Sequence, residues 1–268
     1  MRSVPRWAFV TLVSALAAPP VAPGEVRLPA LVGSRMMPTA PRAPADGRAL
    51  VEAMHARYAG RWYRDFMLVQ DVTRYRDGRE QGRERVAEYL SLPGRVRAIT
   101  GPIEDGNAEI YTDGVFHLYE KGQPTRQVEY VHGVLILGFD VYVQEPERTI
   151  AQLEALGIDL ARIREADWKG RPAWVVGAPE GDDATPQFWV EKERLLCPRV
   201  VFRRPTAVLD VEMGRFEPLG EGWIAAELLF KRNGELATRE DYATFRLVDR
   251  TDPALFDTKT LKTTGPLP

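Results

Sequence analysis

Leu92-Pro-Gly-Arg-Val-Arg-Ala-Ile-Thr-Gly-Pro-Ile103 leads through Glu104-Asp-Gly-Asn107 into Ala108-Glu-Ile-Tyr-Thr-Asp-Gly-Val-Phe-His-Leu-Tyr-Glu-Lys121. Three short extended segments are divided by Gly-Asn and Asp-Gly turn signals. This pattern predicts a meander of antiparallel strands.

Working outward, Trp62 to Arg76 reads as a long strand, with Phe66, Leu68 and Val72 on one face and Met67, Val69 and Tyr75 on the other. Apolar residues on both faces imply a covering layer on each side. Asp77-Gly78 turns it into a second strand over Arg83 to Leu92, and the meander runs to about Val131. Ahead of it, Asp46 suits an N-cap, and Leu50, Val51, Met54 and Tyr58 share one face of a helix that ends near Gly60. Behind it, strands are expected at Arg162 to Trp168, Arg171 to Gly177, Gln187 to Lys192, Leu195 to Arg203, Leu209 to Glu217, Trp223 to Lys231 and Tyr242 to Val248. The meander is interrupted by Val134 to Val143, apolar nearly all round, where periodicity supports a buried strand and a helix equally. Pro146 then opens a helix stopped by Gly157.

The chain ends carry their own signals. Arg2 and Arg6 precede an apolar run of about a dozen residues and an Ala15-x-Ala17 site, the pattern of a cleaved export signal over 1–18. The run is shorter than the roughly 20 residues a membrane span needs. No Cys lies nearby to take a lipid, and the mature chain is expected in the periplasm without a transmembrane segment. Residues 19–45 are rich in Pro and Ala and read as an extended lead-in. With 36 Lys and Arg against 38 Asp and Glu, the net charge is −2, and no basic block suggests nucleic acid. Cys197, the only cysteine, sits in an apolar run and reads as a buried thiol.

The Pro93-Gly-Arg-Val-Arg97 strand, the short polar segment after it and the Asp113-Gly114 turn before Phe116-x-Leu118-Tyr119 resemble the centre of the LolA/LolB-like superfamily of periplasmic lipoprotein carriers. Phe188-Trp-Val-Glu-Lys-Glu193, followed by Pro198-Arg-Val-Val-Phe202, resembles that family's later strands, and Asp252-Pro-Ala-Leu-Phe256 its final segment. The resemblance covers 46–258 and leaves 259–268 as a tail. It implies an α+β, mainly β fold: an unclosed antiparallel barrel, or curved sheet, with an N-terminal helix and a helical lid at 133–157 over its concave face. It also implies a lipid or lipoprotein acyl chain as ligand, in outer-envelope trafficking, with an inner- or outer-membrane protein as a further partner. The chain departs from the family in its long Pro-rich lead and its longer C-terminal half.

Motifs for catalysis are missing. His55, His117 and His132 are far apart, and zinc spacings, a nucleophile elbow, a P-loop and a dinucleotide fingerprint are all absent, so neither metal nor cofactor is expected. What remains is apolar chemistry. A wall for an acyl chain would draw on Phe66, Leu68, Phe116, Leu118, Trp189 and Trp223, with Leu135, Leu137 and Phe139 from the lid. The same residues would equally fill an ordinary core. Arg97 is the candidate polar anchor at the mouth, against a solvated strand-edge reading. Two other functions stay open: an envelope-stress sensor of the same fold, marked by an exposed apolar patch, and a β-sandwich hydrolase, marked by converging perturbed carboxylates without a lipid-sized cavity.

Overall fold

The computed structural model describes residues 43–263. The expected export signal and all but the end of the lead-in lie outside the described residues. Helix α1 (Gly47–Tyr58) begins where the Asp46 carboxyl accepts the Ala49 N–H at 2.9 Å. It turns Leu50, Val51, Met54 and Tyr58 inward, as the 3.6-residue period requires. Six strands follow: β1 (Asp65–Arg76), β2 (Arg79–Ser91), β3 (Arg95–Thr100), β4 (Ala108–Thr112), β5 (Val115–Glu120) and β6 (Gln123–Glu129). The chain then passes through α2 (Gly133–Gly138), a 3-10 turn (Asp140–Tyr142) and α3 (Pro146–Ala155). Seven more strands complete it: β7 (Ile163–Trp168), β8 (Arg171–Val176), β9 (Gln187–Glu191), β10 (Arg199–Arg204), β11 (Ala207–Leu219), β12 (Gly222–Arg232) and β13 (Glu235–Leu247). A last 3-10 turn spans Pro253–Phe256.

All strands join one 13-stranded antiparallel sheet in the order β6-β5-β4-β3-β2-β1-β13-β12-β11-β10-β9-β8-β7. Two meanders meet at its centre, where β1 pairs with β13 from Phe66↔Leu247 to Arg74↔Thr238. The edges are β6 and β7, and the segment between them in sequence, α2 to α3, crosses one face. The sheet is curved and unclosed, as expected.

Of the two-residue hairpin turns, five have positive φ at both positions: Asp77-Gly78, Asp113-Gly114, Lys121-Gly122, Lys169-Gly170 and Asn233-Gly234. Such turns match the right-handed twist of paired strands, and glycine adopts the second position without a steric penalty. The apolar run at 134–143 resolves into α2 and the 3-10 turn. The strand expected over Leu195 to Arg203 starts only at Arg199. Leu195 adopts φ 57° in a turn, and Pro198 has no N–H to give a ladder.

The face crossed by the helices, here the inner face, carries the main core. Phe66, Leu68, Leu90, Tyr111, Phe188, Val200, Phe202, Val211 and Leu228 pack there against α1, α2 and α3. The outer face carries two smaller clusters. Met67, Tyr89 and Ile99 are covered by Leu255 and Phe256 of the C-terminal segment, and Trp189 packs with Ala173 and Val175.

Candidate functional site

The inner face divides along β1. Its inward residues are Phe66, Leu68, Gln70, Val72 and Arg74, apolar at one end and polar at the other. The helical crossing covers the apolar end. Leu135, Ile136, Leu137 and Phe139 are 2, 1, 0 and 6% exposed and share the buried cluster with Phe66 and Leu68. The Phe139 ring lies 5.3 Å from that of Phe66, and Tyr142 stacks on Trp62 at 3.9 Å. Gly133 lets α2 start close to the sheet, since a β-carbon there would press on Leu156 and Phe202.

Polar contacts fix the crossing at both ends. His132 Nδ1 accepts the Leu135 N–H at 3.2 Å and caps α2, and burial lowers the ring's pKa to about 4, which keeps it neutral as an acceptor must be. Gln144 donates to Thr149 and Gln152, both at 2.8 Å, and ties the 3-10 turn to α3. Tyr142 donates to the Leu195 carbonyl at 3.2 Å, and Asp140 accepts from Gly94 at 3.1 Å.

Of the expected wall residues, Phe66, Leu68, Leu135, Leu137 and Phe139 come together here, and Phe116 packs on the margin of the same cluster. Trp223 is half-buried beside it, under the Arg194 guanidinium at 4.8 Å. Leu118 shares the inner face of β5 with Phe116 but stands opposite Glu109, at the polar end. Trp189 is not brought there: it faces outward, 5.3 Å from Trp168, with the Arg199 guanidinium 5.6 Å from its ring. Every residue of β9 is buried, so that strand offers no alternation from which to assign its faces.

Arg97 is neither at a mouth nor solvated. It is fully buried on the outer face beneath the C-terminal segment and donates to the carbonyls of Leu255 at 3.2 Å and Lys262 at 2.5 Å. Cys197 is buried, and its thiol is pushed up to about 12, an inert state. A half-open cleft of about 330 Å³ near Trp168 and Arg194 is lined by cations already paired, Lys169 with Glu212 and both Arg171 and Arg194 with Glu191.

The polar end of the inner face is the part that the sequence reading did not find. Glu88 of β2 stands opposite Ala98 of β3, which stands opposite Glu109 of β4. Across β1, Glu240 of β13 stands opposite Val72, whose other neighbour is Glu84 of β2. Gln70, only 3% exposed, donates to Glu88 at 2.8 Å, and its Oε1 accepts no hydrogen bond. Burial raises the Glu88 carboxyl to about 8, with Glu109 adding repulsion. Burial and then Glu88 and Glu109 push Glu240 well above the carboxylate range. Burial also raises Glu84 to about 7 against the pull of Arg74, 3.1 Å away.

The sequence matches no protein-family profile and no curated protein. Solved structures do match. A DUF1329 family protein from Desulfovibrio piger superposes with a TM-score of 0.55 at 15% identity, over 81% of this chain and 98% of that one. An outer membrane lipoprotein-sorting protein domain from Vibrio parahaemolyticus gives 0.54 at 14%, over 80% and 97%. A LolA superfamily protein from Nitrosomonas europaea gives 0.51 at 11%, over 79% and 99%. The chain therefore has a LolA-like fold, and at these identities the likeness is one of fold. Among the described residues no helix is long and apolar enough to cross a membrane.

Proposed function

We propose that this protein is an exported, periplasmic carrier that holds the acyl chain of a lipid or lipoprotein on the inner face of its sheet. One observation carries the reading: α2 and the 3-10 turn place Leu135, Leu137 and Phe139 against Phe66 and Leu68, the position an acyl chain would take. The magnitudes allow exchange. Burying ten methylenes yields about 8 kcal/mol, and these three apolar side chains leaving the wall forfeit roughly 5–9 kcal/mol. The two are close enough that neither state locks, as reversible carriage requires. The names of the superposed lipoprotein-sorting and LolA superfamily proteins support the same reading by analogy of fold.

The test is native mass spectrometry of the full chain purified from a bacterial envelope, then organic extraction and uptake of a fluorescent fatty acid. Co-purified lipid or acylated peptide, reduced in folded L137D and F139D variants, supports the carrier. A clean apo mass with no uptake overturns it.

A second reading rests on the inner-face glutamates, the converging carboxylates of a hydrolase. Two-carboxylate hydrolysis needs one group protonated and one ionised across the scissile bond. Here Glu88 and Glu240 are both pushed toward the protonated form, which favours the carrier. Turnover of chromogenic glycosides or esters, abolished in E88Q or E240Q, would reverse that preference. The sensor reading needs an exposed apolar patch, and among the described residues Leu247 is the one large hydrophobic side chain that is exposed.

A further inference from the structure

A carrier with a purely apolar wall would accept any tail, yet the apolar wall of this protein runs directly into a group of acids. Leu68, in the apolar wall, stands opposite Glu88 in the ladder, and Gln70 is the next inward residue of β1. Gln70, Glu84, Glu88, Glu109 and Glu240 come from β1, β2, β4 and β13 and converge on the inner face beyond the reach of α2. Ala98, between Glu88 and Glu109, contributes only a methyl group.

Two features of this group are unmet by the protein itself. Gln70 is buried, its amide donates to Glu88, and its Oε1 accepts no hydrogen bond. Unsatisfied buried acceptors are costly and uncommon in native folds. The Glu240 carboxyl is engaged by no hydrogen bond or ion pair among the described residues, although two further glutamates act on it. Arg74 on this face pairs with Glu84 of the group at 3.1 Å. A metal ion does not fit, since no three acids among the described residues are gathered closely enough to hold one.

We propose that the ligand carries a cationic ammonium head, which Glu88, Glu240 and the Gln70 Oε1 hold while its tail lies on the wall formed by Phe66 and Leu68. The proposal rests on the carrier reading and names the ligand class at that same site. An ammonium supplies N–H donors to Gln70 and to the carboxyls, and a positive charge to acids that otherwise repel one another. Burial first, and then the neighbouring glutamates, push the Glu88 and Glu240 carboxyls toward the protonated form. The arriving cation favours the ionised form, so a proton leaves to solvent and the charge balances. The other ionisable groups facing this space are Glu84 from β2, Glu109 from β4, Tyr242 from β13, Arg74 from β1 and Arg126 from β6. Tyr242 is pushed further from ionisation, by burial first and then by Glu240 and Glu88, and stays neutral.

The experiment compares heads on one tail. Dodecylamine, dodecanol and dodecanoate, each below its micelle concentration, displace a fluorescent fatty acid from the full-length protein at pH 7. The amine is expected to compete at least tenfold better than the alcohol, and the carboxylate least well. Calorimetry in buffers of differing ionisation enthalpy is expected to show protons released on amine binding and not on alcohol binding. In E88Q/E240Q, checked for its native melting transition, the preference for the amine should fall to within about twofold. Equal competition by all three heads overturns the proposal and leaves the carrier reading standing, and so does an amine preference that survives in the variant. If no tail of any head binds, both fall together. The head series on the native protein decides the matter even if the variant does not fold.

Discussion

The carboxyl of Asp140, in the segment that crosses the inner face, accepts the backbone N–H of Gly94, in the turn between β2 and β3, at 3.1 Å. Asp140 is 1% exposed, and burial raises its carboxyl to about 7 against the lowering effects of Gly94 and Arg148. Tyr111 also faces it, from β4.

The sign of the pH effect follows. A carboxyl whose pKa rises on folding favours the folded, covered state while it is protonated. That contribution is complete below its ordinary pKa of about 4 and is lost as pH climbs through about 7. The crossing segment should therefore hold more firmly at pH 5.5 than at pH 8, and stopped-flow uptake of a fluorescent fatty acid should be faster at the higher pH. Asp140→Asn should flatten that dependence, which separates it from the titration of Glu84 and Glu88 in the same range. An uptake rate in the native protein that ignores pH would sink the idea.

Leu137 is fully buried under the crossing segment, so Leu137→Ala should cost about 2–5 kcal/mol, the usual range for a core leucine. For a chain of this size that lowers the melting temperature by roughly 5–15 °C. Leu247 is 40% exposed, and Leu247→Ser should stay within about 0.5 kcal/mol. Thermal melts of the two variants compare them directly, and equal effects would mean that the crossing segment is not part of the cooperative core.

Gly177 sits at φ 106°, where a β-carbon would run into the Pro186 carbonyl, so Gly177→Ala should destabilise by more than about 1 kcal/mol. Gly82, inside β2, has open space around it and ordinary backbone angles, and Gly82→Ala should be neutral or stabilising by up to about 1 kcal/mol. Urea midpoints with unchanged slopes would read both, and a similar loss at the two sites would contradict the argument.

Arg97→Met removes the donors that hold the carbonyls of Leu255 and Lys262. Hydrogen exchange over residues 252–262 should speed up while β1 and β2 stay protected. Unchanged protection would show that Leu255, Phe256 and the Tyr119 bond to the Thr258 carbonyl hold the segment unaided.

What could be read from the chain beforehand divides along physical lines. The hairpins at Asp77-Gly78 and Asp113-Gly114 were legible because Asp-Gly names its own backbone angles. Helix α1 was legible through Asp46 and its apolar period. The faces of individual strands were less so. Phe188 and Trp189 look alike in sequence, and only pairing sends one inward and the other out. The glutamates of the inner face were hidden for a sharper reason. Glu84, Arg85 and Glu88, like Arg239, Glu240 and Asp241, are charged neighbours in their strands, and any of them could be a solvated residue. Which ones turn inward depends on register shifts at Val69/Gln70, Arg74/Tyr75 and Phe230/Lys231. One extra residue in a strand exchanges its two faces, and no local composition announces it.

The pairing of β1 with β13 has a bearing on how the protein is made. A ribosome releases the chain from its N-terminal end, so β1 emerges nearly 180 residues before Leu247, its neighbour opposite Phe66. Throughout that interval the first meander presents β1 as a bare border, apolar on both sides, and the strand that closes it comes last in the sheet. Such an edge invites pairing with other nascent chains. Molecules truncated before Glu235 would keep that edge permanently, and they should aggregate far more readily than ones shortened at the outer strands β6 or β7.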